Sequence, residues 1–254
     1  MKRIMVVVLA FLVWVMPLRP FLAPLWAAAA FLQETSCSGN DATCTFGAAP
    51  SASNLVLVIV GVDESNTVTI EGWTPAETVS YGPVDSTGQN RRAYVFCVPG
   101  DGVETAMTIQ TSGSAGTHTA AIEVSGIGND CAAAFDDAET AADADCQGSG
   151  TQAHSLVTAL TTTAAGDFII GMIYAQTTAD FTAGANYTLS PASGTEIGGQ
   201  TIAEWKVAGA SGSEDTNWTS AANETTSCWA AAFKATAVAG GPPVGSLGLL
   251  GVGR

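Results

Sequence analysis

Short apolar runs recur at even spacing along the chain, separated by clusters of Gly, Asp, Asn, Ser and Pro such as "GPVDSTGQN" and "SGSEDTN". Runs of this length bounded by turn residues predict strands. The predicted strands cover 44–46, 54–62, 67–70, 92–98, 105–111, 119–126, 155–162, 167–175, 185–190, 200–208 and 228–236. Beyond the first thirty residues no segment carries a long apolar stripe with the 3.6-residue period of a helix. Many short strands with turn signals between them predict an all-β protein: a single antiparallel β-sandwich, jelly-roll-like, over residues 31–236. Alternation assigns faces within a strand. In "RAYVFCV", Tyr94, Phe96 and Val98 share the bulky face and Cys97 lies opposite; in "CWAAAFKAT", Trp229 and Phe233 share one face and Cys228 the other.

The first thirty residues have a different pattern. Lys2 and Arg3 precede "IMVVVLAFLVWVM" at 4–16, and "LWAAAAF" then offers small residues for cleavage between Ala28 and Phe31. This is the layout of an export signal, with an apolar run too short to span a bilayer. The expectation is a signal peptide over 1–30, no membrane span in the mature chain, and a secreted or cell-surface location. A Gly/Pro linker and a short apolar tail, "GGPPVGSLGLLGVGR", occupy the end of 237–254. Without Lys2, Arg3 and Arg19 the chain keeps five basic residues against 23 acidic ones, a net charge of about −18. That sign opposes nucleic acids and anionic membranes and leaves cations and neutral or basic partners open.

Six cysteines follow the signal: Cys37, Cys44, Cys97, Cys131, Cys146 and Cys228. An even count in an exported chain predicts three disulfides, and six cysteines permit fifteen pairings. Strand parity favours Cys97–Cys228, with Cys37–Cys44 closing a hairpin and Cys131–Cys146 closing the acidic stretch between them. No C-x-x-C pair or neighbouring His suggests zinc.

The order "FLQETS", "FGAAPSASNLVLVIVG", "GWTPAETV", "RRAYVFCVPGDGVETAMTIQTSGSAGTHTAAIEVSGI", "TTAAGDFIIGMIYA" and "CWAAAFKAT" resembles the jelly-roll, lectin-like β-sandwich modules of bacterial secreted proteins and bacteriophage structural proteins. The resemblance runs from Phe31 to about Ala235 and lies in strand rhythm and turn chemistry. It implies a sandwich that adheres or assembles rather than catalyses. The six cysteines depart from the virion pattern.

Candidate chemistry begins with "FDDAETAADADC" at 135–146. Asp136, Asp137, Asp143 and Asp145 could hold calcium, because hard cations take clustered carboxylate and backbone oxygens. The competing reading is a hydrated acidic loop stapled at its base. No cofactor is required, and calcium is the one left open. Glu123 and Glu204 lie mid-strand, where alternation puts them on the polar face of a half-exposed sheet. His118 and His154 sit in turns with no nucleophile elbow nearby. Trp218, Trp73 and Tyr187 lie in or beside loops, where aromatics can stack on sugar rings. Trp205 and Trp229 lie in strands and read as core.

The expected function is that of an exported, non-enzymatic binding or adhesion module, with a carbohydrate or another surface protein as partner. The alternative is a structural subunit of an extracellular filament or virion, self-assembling through the tail. Glycoside hydrolysis ranks below both.

Overall fold

The run "LVLVIVGVD" is apolar at nearly every position, and the structure buries both of its faces. A strand with one wet face would alternate; a strand between two other layers need not. This computed structural model describes residues 28–63, 66–73, 79–80, 84–86, 91–113, 117–141, 152–155, 160–175, 181–190, 195–196, 199–220 and 226–236. The described residues form antiparallel strands and one helical turn.

The strands form two repeats of the same plan. In the first, β1 (Ala30–Ser38), β3 (Leu55–Asp63), β5 (Val79–Ser80), β6 (Val84–Ser86), β7 (Arg91–Pro99) and β9 (His118–Ser125) make a main sheet. Its order is β1-β9-β3-β7-β5, with β6 also on β7. An outer sheet, β2-β8-β4, comes from β2 (Ala42–Thr45), β4 (Val68–Glu71) and β8 (Ala106–Thr111). The short helix α1 (Cys131–Ala134), capped by the Asp130 side chain, leads into the second repeat.

There β10 (Phe135–Ala141), β13 (Phe168–Ala175), β15 (Thr188–Leu189), β16 (Thr195–Glu196), β17 (Gly199–Val207) and β20 (Thr226–Phe233) form a main sheet ordered β10-β20-β13-β17-β15, with β16 also on β17. The outer layer holds β11 (Gln152–Ser155), β14 (Phe181–Ala183) and β19 (Asn217–Ser220) in the order β11-β19-β14, beside the pair β12 (Leu160–Thr162) and β18 (Gly212–Glu214). The two main sheets correspond strand for strand. Even the irregularities match: β1 shifts register between Phe31 and Gln33, and β10 between Phe135 and Asp137, at the same place in each sheet.

Three apolar cores separate four layers. Val56, Val58, Val60 and Phe96 pack against Met107 and Ile109 within repeat 1. Ile169, Ile173 and Ile202 pack against Leu160, Phe181 and Trp218 within repeat 2. Between the main sheets, Leu55, Leu57, Ile59 and Ile122 meet Phe168, Ile170, Met172 and Trp229. Phe31 of repeat 1 stacks on Trp205 of repeat 2, with ring centroids 5.1 Å apart. The Ala29 N–H donates to the Gly166 carbonyl at 3.1 Å, which ties the chain just ahead of β1 to repeat 2.

Several expectations need correction. The all-β class stands, but there are two sandwiches joined face to face rather than one. The acidic stretch is strand β10 up to Ala141, not a loop. Trp218 lies in strand β19 and not in a loop. The run 155–162 contributes to two short strands rather than one, and β1 was not foreseen. Of the expected signal over 1–30, residues 1–27 lie outside the described residues, as does the tail over 237–254.

The disulfides divide likewise. Cys37 pairs with Cys44 as expected and joins the main to the outer sheet of repeat 1. Cys97 pairs with Cys131, not with Cys228. Parity placed Cys97 and Cys228 correctly opposite the aromatics of their own strands but could not assign those strands to different sheets. Cys97 faces the middle core, whereas Cys228 faces the outer core of repeat 2. The Cys131–Cys146 pairing falls with it. Cys228 is itself disulfide-bonded, and Cys146 lies outside the described residues. Loop-closure entropy assigns about 2.5 kcal/mol to the short Cys37–Cys44 loop and about 4 kcal/mol to the longer Cys97–Cys131 loop. Non-reducing peptide mapping is expected to recover Cys37 linked to Cys44 and Cys97 linked to Cys131; a Cys97–Cys228 peptide would contradict this layer assignment.

Candidate functional site

Most polar side chains inside the sandwiches are engaged in holding the chain. Glu123, only 3% exposed on β9, accepts from Gln33 Nε2 and Asn54 Nδ2, each at 2.6 Å, and from the Ser51 N–H at 2.9 Å. His118 is also buried, in β9. Both therefore differ from the exposed placement expected of them.

The repeat junction is similarly tied. A cleft of ≈ 320 Å³ opens there between Asn129, Asp130, Thr163, Lys234 and Thr236. Lys234 Nζ stands 3.5 Å from Asp136, which also accepts from the Thr163 N–H at 2.8 Å. Asp137 accepts from the Thr161 N–H at 2.8 Å. Behind them the buried Asp167 accepts from the Ala164 and Ala235 N–H groups, both at 2.9 Å. Burial raises the Asp167 carboxyl above its ordinary value, and the neighbouring Asp136 charge adds to that. Asp136 and Asp137 thus brace β10 against the loop around β12. Asp143 and Asp145, the other two proposed calcium ligands, lie outside the described residues. Among the described residues no group of three or more His, Cys, Asp or Glu is placed to hold a metal ion.

The outer half of repeat 2 differs from these. Glu204 on β17 is fully buried, directly opposite Gly171 on one side and Leu189 on the other. The Gly184 N–H donates to its Oε2 at 2.7 Å. Burial pushes the Glu204 carboxyl up to about 7, against the pull of the Gly184 and Asn217 N–H groups and of Lys206. Beside it, Lys206 pairs with Glu214 at 2.6 Å and sits 4.3 Å above the Tyr187 ring. Burial also raises the Tyr187 phenol, as do the charges of Glu204, Glu214 and Asp215. The indole of Trp218 and the side chain of Thr216 pack over Gly171, the residue paired with Glu204. Buried side chains with shifted protonation, next to groups lacking partners, are where function concentrates.

The predicted aromatic residues fare differently from one another. Tyr187 and Trp218 come together in this cluster. Trp218 is fully buried and so is no exposed stacking platform. Trp73 is half-buried against Phe46, and its Nε1 donates to the Pro99 carbonyl at 2.9 Å, which tucks the indole under the end of repeat 1. Glu204 was expected on a polar, half-exposed face rather than in a core, and Thr216 and Glu214 carried no expectation as a site. A signal was present in "AEWK", where Glu204 and Lys206 share one face of a strand, but alternation alone reads that face as solvated.

No protein-family model, no curated protein and no solved structure matches the chain. The β-sandwich class therefore stands on the strand pairing itself.

The raised Glu204 carboxyl makes stability depend on pH with a defined sign. The folded protein holds this proton more tightly than the unfolded chain does. The linked stability is fully present below the ordinary carboxyl value of 4.5 and is lost as pH rises through about 7. At about 1.4 kcal/mol per unit, this amounts to about 3 kcal/mol. Denaturant unfolding is expected to show lower stability at pH 8 than at pH 5, since the raised Asp167 acts in the same sense. Glu204→Gln should remove the larger part of that difference. An unchanged pH slope in the variant would contradict it.

Proposed function

We propose that the protein is an exported, non-enzymatic contact module that binds hydroxylated polymer surfaces, with glycans as the leading class. One observation carries the reading. Each outer sheet turns a cross-strand pair of hydroxyl side chains away from its core: Thr43 opposite Thr108, Thr161 opposite Ser213, and Thr182 opposite Thr219. Thr43, Thr161, Ser213, Thr182 and Thr219 are exposed, and Thr43 Oγ1 lies 3.3 Å from Thr108 Oγ1. Short hydroxyl side chains lose little freedom on binding, Thr least of all, and can both donate and accept, which suits a surface of sugar hydroxyls.

Three further features support it. Strands β1, β3, β7 and β9 go to the main sheet while β2, β4 and β8 go to the outer one. That alternation fits a jelly roll for each repeat, an architecture used by lectin domains. Disulfides persist in oxidising compartments, which favours export. Among the described residues no helix is long and apolar enough to cross a membrane.

The test is retention on insoluble polysaccharides of differing backbone. Wild-type protein is expected to be held by at least one. The paired variants Thr43→Glu/Thr108→Glu and Thr182→Glu/Thr219→Glu should lose at least tenfold in retention while keeping their far-UV spectra. Absence of retention on every polymer, or equal retention by both variants, would refute the reading.

A further inference from the structure

The two repeats carry different chemistry at matching core positions. Leu55 pairs with Pro99 and Val124 in repeat 1, and Phe168 pairs with Val207 and Phe233 in repeat 2. On that register Val58 corresponds to Gly171, Phe96 to Glu204 and Val98 to Lys206. The outer strands match in the same way, because Val68 pairs with Thr111 and Phe181 with Ser220. Ile109 then corresponds to Trp218, and Met107 to Thr216. In repeat 1 all of these are buried apolar residues of one core. In repeat 2 the same positions hold a carboxyl, an ammonium, a hydroxyl and an indole over a glycine.

The exchange leaves buried polar atoms without partners. Glu204 Oε1, Thr216 Oγ1, Trp218 Nε1 and the Tyr187 hydroxyl have no hydrogen bond, although Glu204, Thr216 and Trp218 are at most 1% exposed. A Cβ on Gly171 would lie 2.7 Å from Trp218 Cζ2 and 3.2 Å from Thr216 Cβ. The benzo edge of the indole therefore rests where repeat 1 has the Val58 side chain. Such groups destabilise a core unless something satisfies them, and at the matching positions repeat 1 packs apolar side chains instead.

Their chemistry narrows the ligand. The indole N–H can only donate, the two hydroxyls donate or accept, and the Glu204 carboxyl accepts when ionised and can also donate when protonated. An anion would meet Glu204, Glu214 and Asp215. An ammonium could not accept from the indole. Neighbouring hydroxyls on one small neutral molecule satisfy all four.

We propose that the outer core of repeat 2 is a binding site for a neutral polyhydroxylated ligand, a sugar unit, held by Glu204, Thr216, Trp218 and Tyr187. This rests on the reading of the protein as a glycan-contact module and locates in repeat 2 a site that repeat 1 lacks. The rim is the Lys206–Glu214 pair, whose side chains are 16% and 18% exposed, over the Tyr187 ring. Entry parts this pair.

The test titrates the full-length protein with free hexoses and N-acetylhexosamines, reading the indole N–H resonance of Trp218 by NMR. That resonance is assigned with Trp218→Phe. At least one sugar is expected to shift it saturably, and Thr216→Val, which keeps the shape and removes the hydroxyl, should weaken binding at least tenfold. Met107→Leu, the control in repeat 1, should leave binding unchanged. No shift with any sugar, or equal binding by Thr216→Val, overturns the proposal. Retention on a polysaccharide without a Trp218 shift overturns the site while sparing the contact reading; a saturable shift without polymer retention supports the site and removes that reading.

Discussion

The middle apolar core is the constraint on which the other features depend. Each main sheet is apolar on two faces, so a single sandwich would leave one of them wet. Leu55, Leu57 and Ile59 in β3 and Phe168, Ile170 and Met172 in β13 are all fully buried in one shared core. Each such side chain stabilises by about 1.5–3 kcal/mol on burial. A face of that size cannot remain in water, and each repeat supplies the cover for the other. The stacking of Phe31 on Trp205 and the bond between the Ser190 hydroxyl and Glu34 follow from that apposition.

Much of this was legible in the chain. The long central strands of both repeats matched their expected spans within one to three residues, because β-branched and aromatic runs end at clear turn residues. The number of layers was also written there, in "LVLVIV" and "FIIGMI", which alternate poorly because both faces are buried. Reading them as one two-layer sandwich missed that point. Strand β10 was hidden because its acids look solvated, whereas Asp136 and Asp137 bond to backbone N–H groups across the sheet edge. The disulfide pairing failed for a related reason: alternation fixes the face of a side chain within its strand and says nothing of which sheet that strand joins.

The matching bulges after Phe31 and Phe135 show how closely the repeats share one plan, and the difference between them is then informative. Repeat 1 keeps Phe96, Met107 and Val58 as packing residues. Repeat 2 gives up that packing for Glu204, Thr216 and Gly171 while retaining the apolar face toward its partner. Stability is thus concentrated in the apolar cores, while four unpartnered polar atoms, on Glu204, Thr216, Trp218 and Tyr187, gather in the outermost core of repeat 2. Destabilised functional sites commonly sit on a scaffold rigid enough to tolerate them. The sequence could not disclose the contrast, because "AEWK" is only unusual once its counterpart in the other repeat is known.

The claim that both repeats depend on one core can be tested by Leu57→Ala on β3, followed by native-state hydrogen exchange across β13. Leu57 touches no part of the outer core of repeat 2, so any effect there passes through the shared layer. The account predicts that the amides of Ile169–Ile173 lose protection by the same free energy as those of β3, about 2–5 kcal/mol for such a truncation. Loss of protection in β3 with β13 unchanged would mean that the two sandwiches unfold independently, and would contradict it.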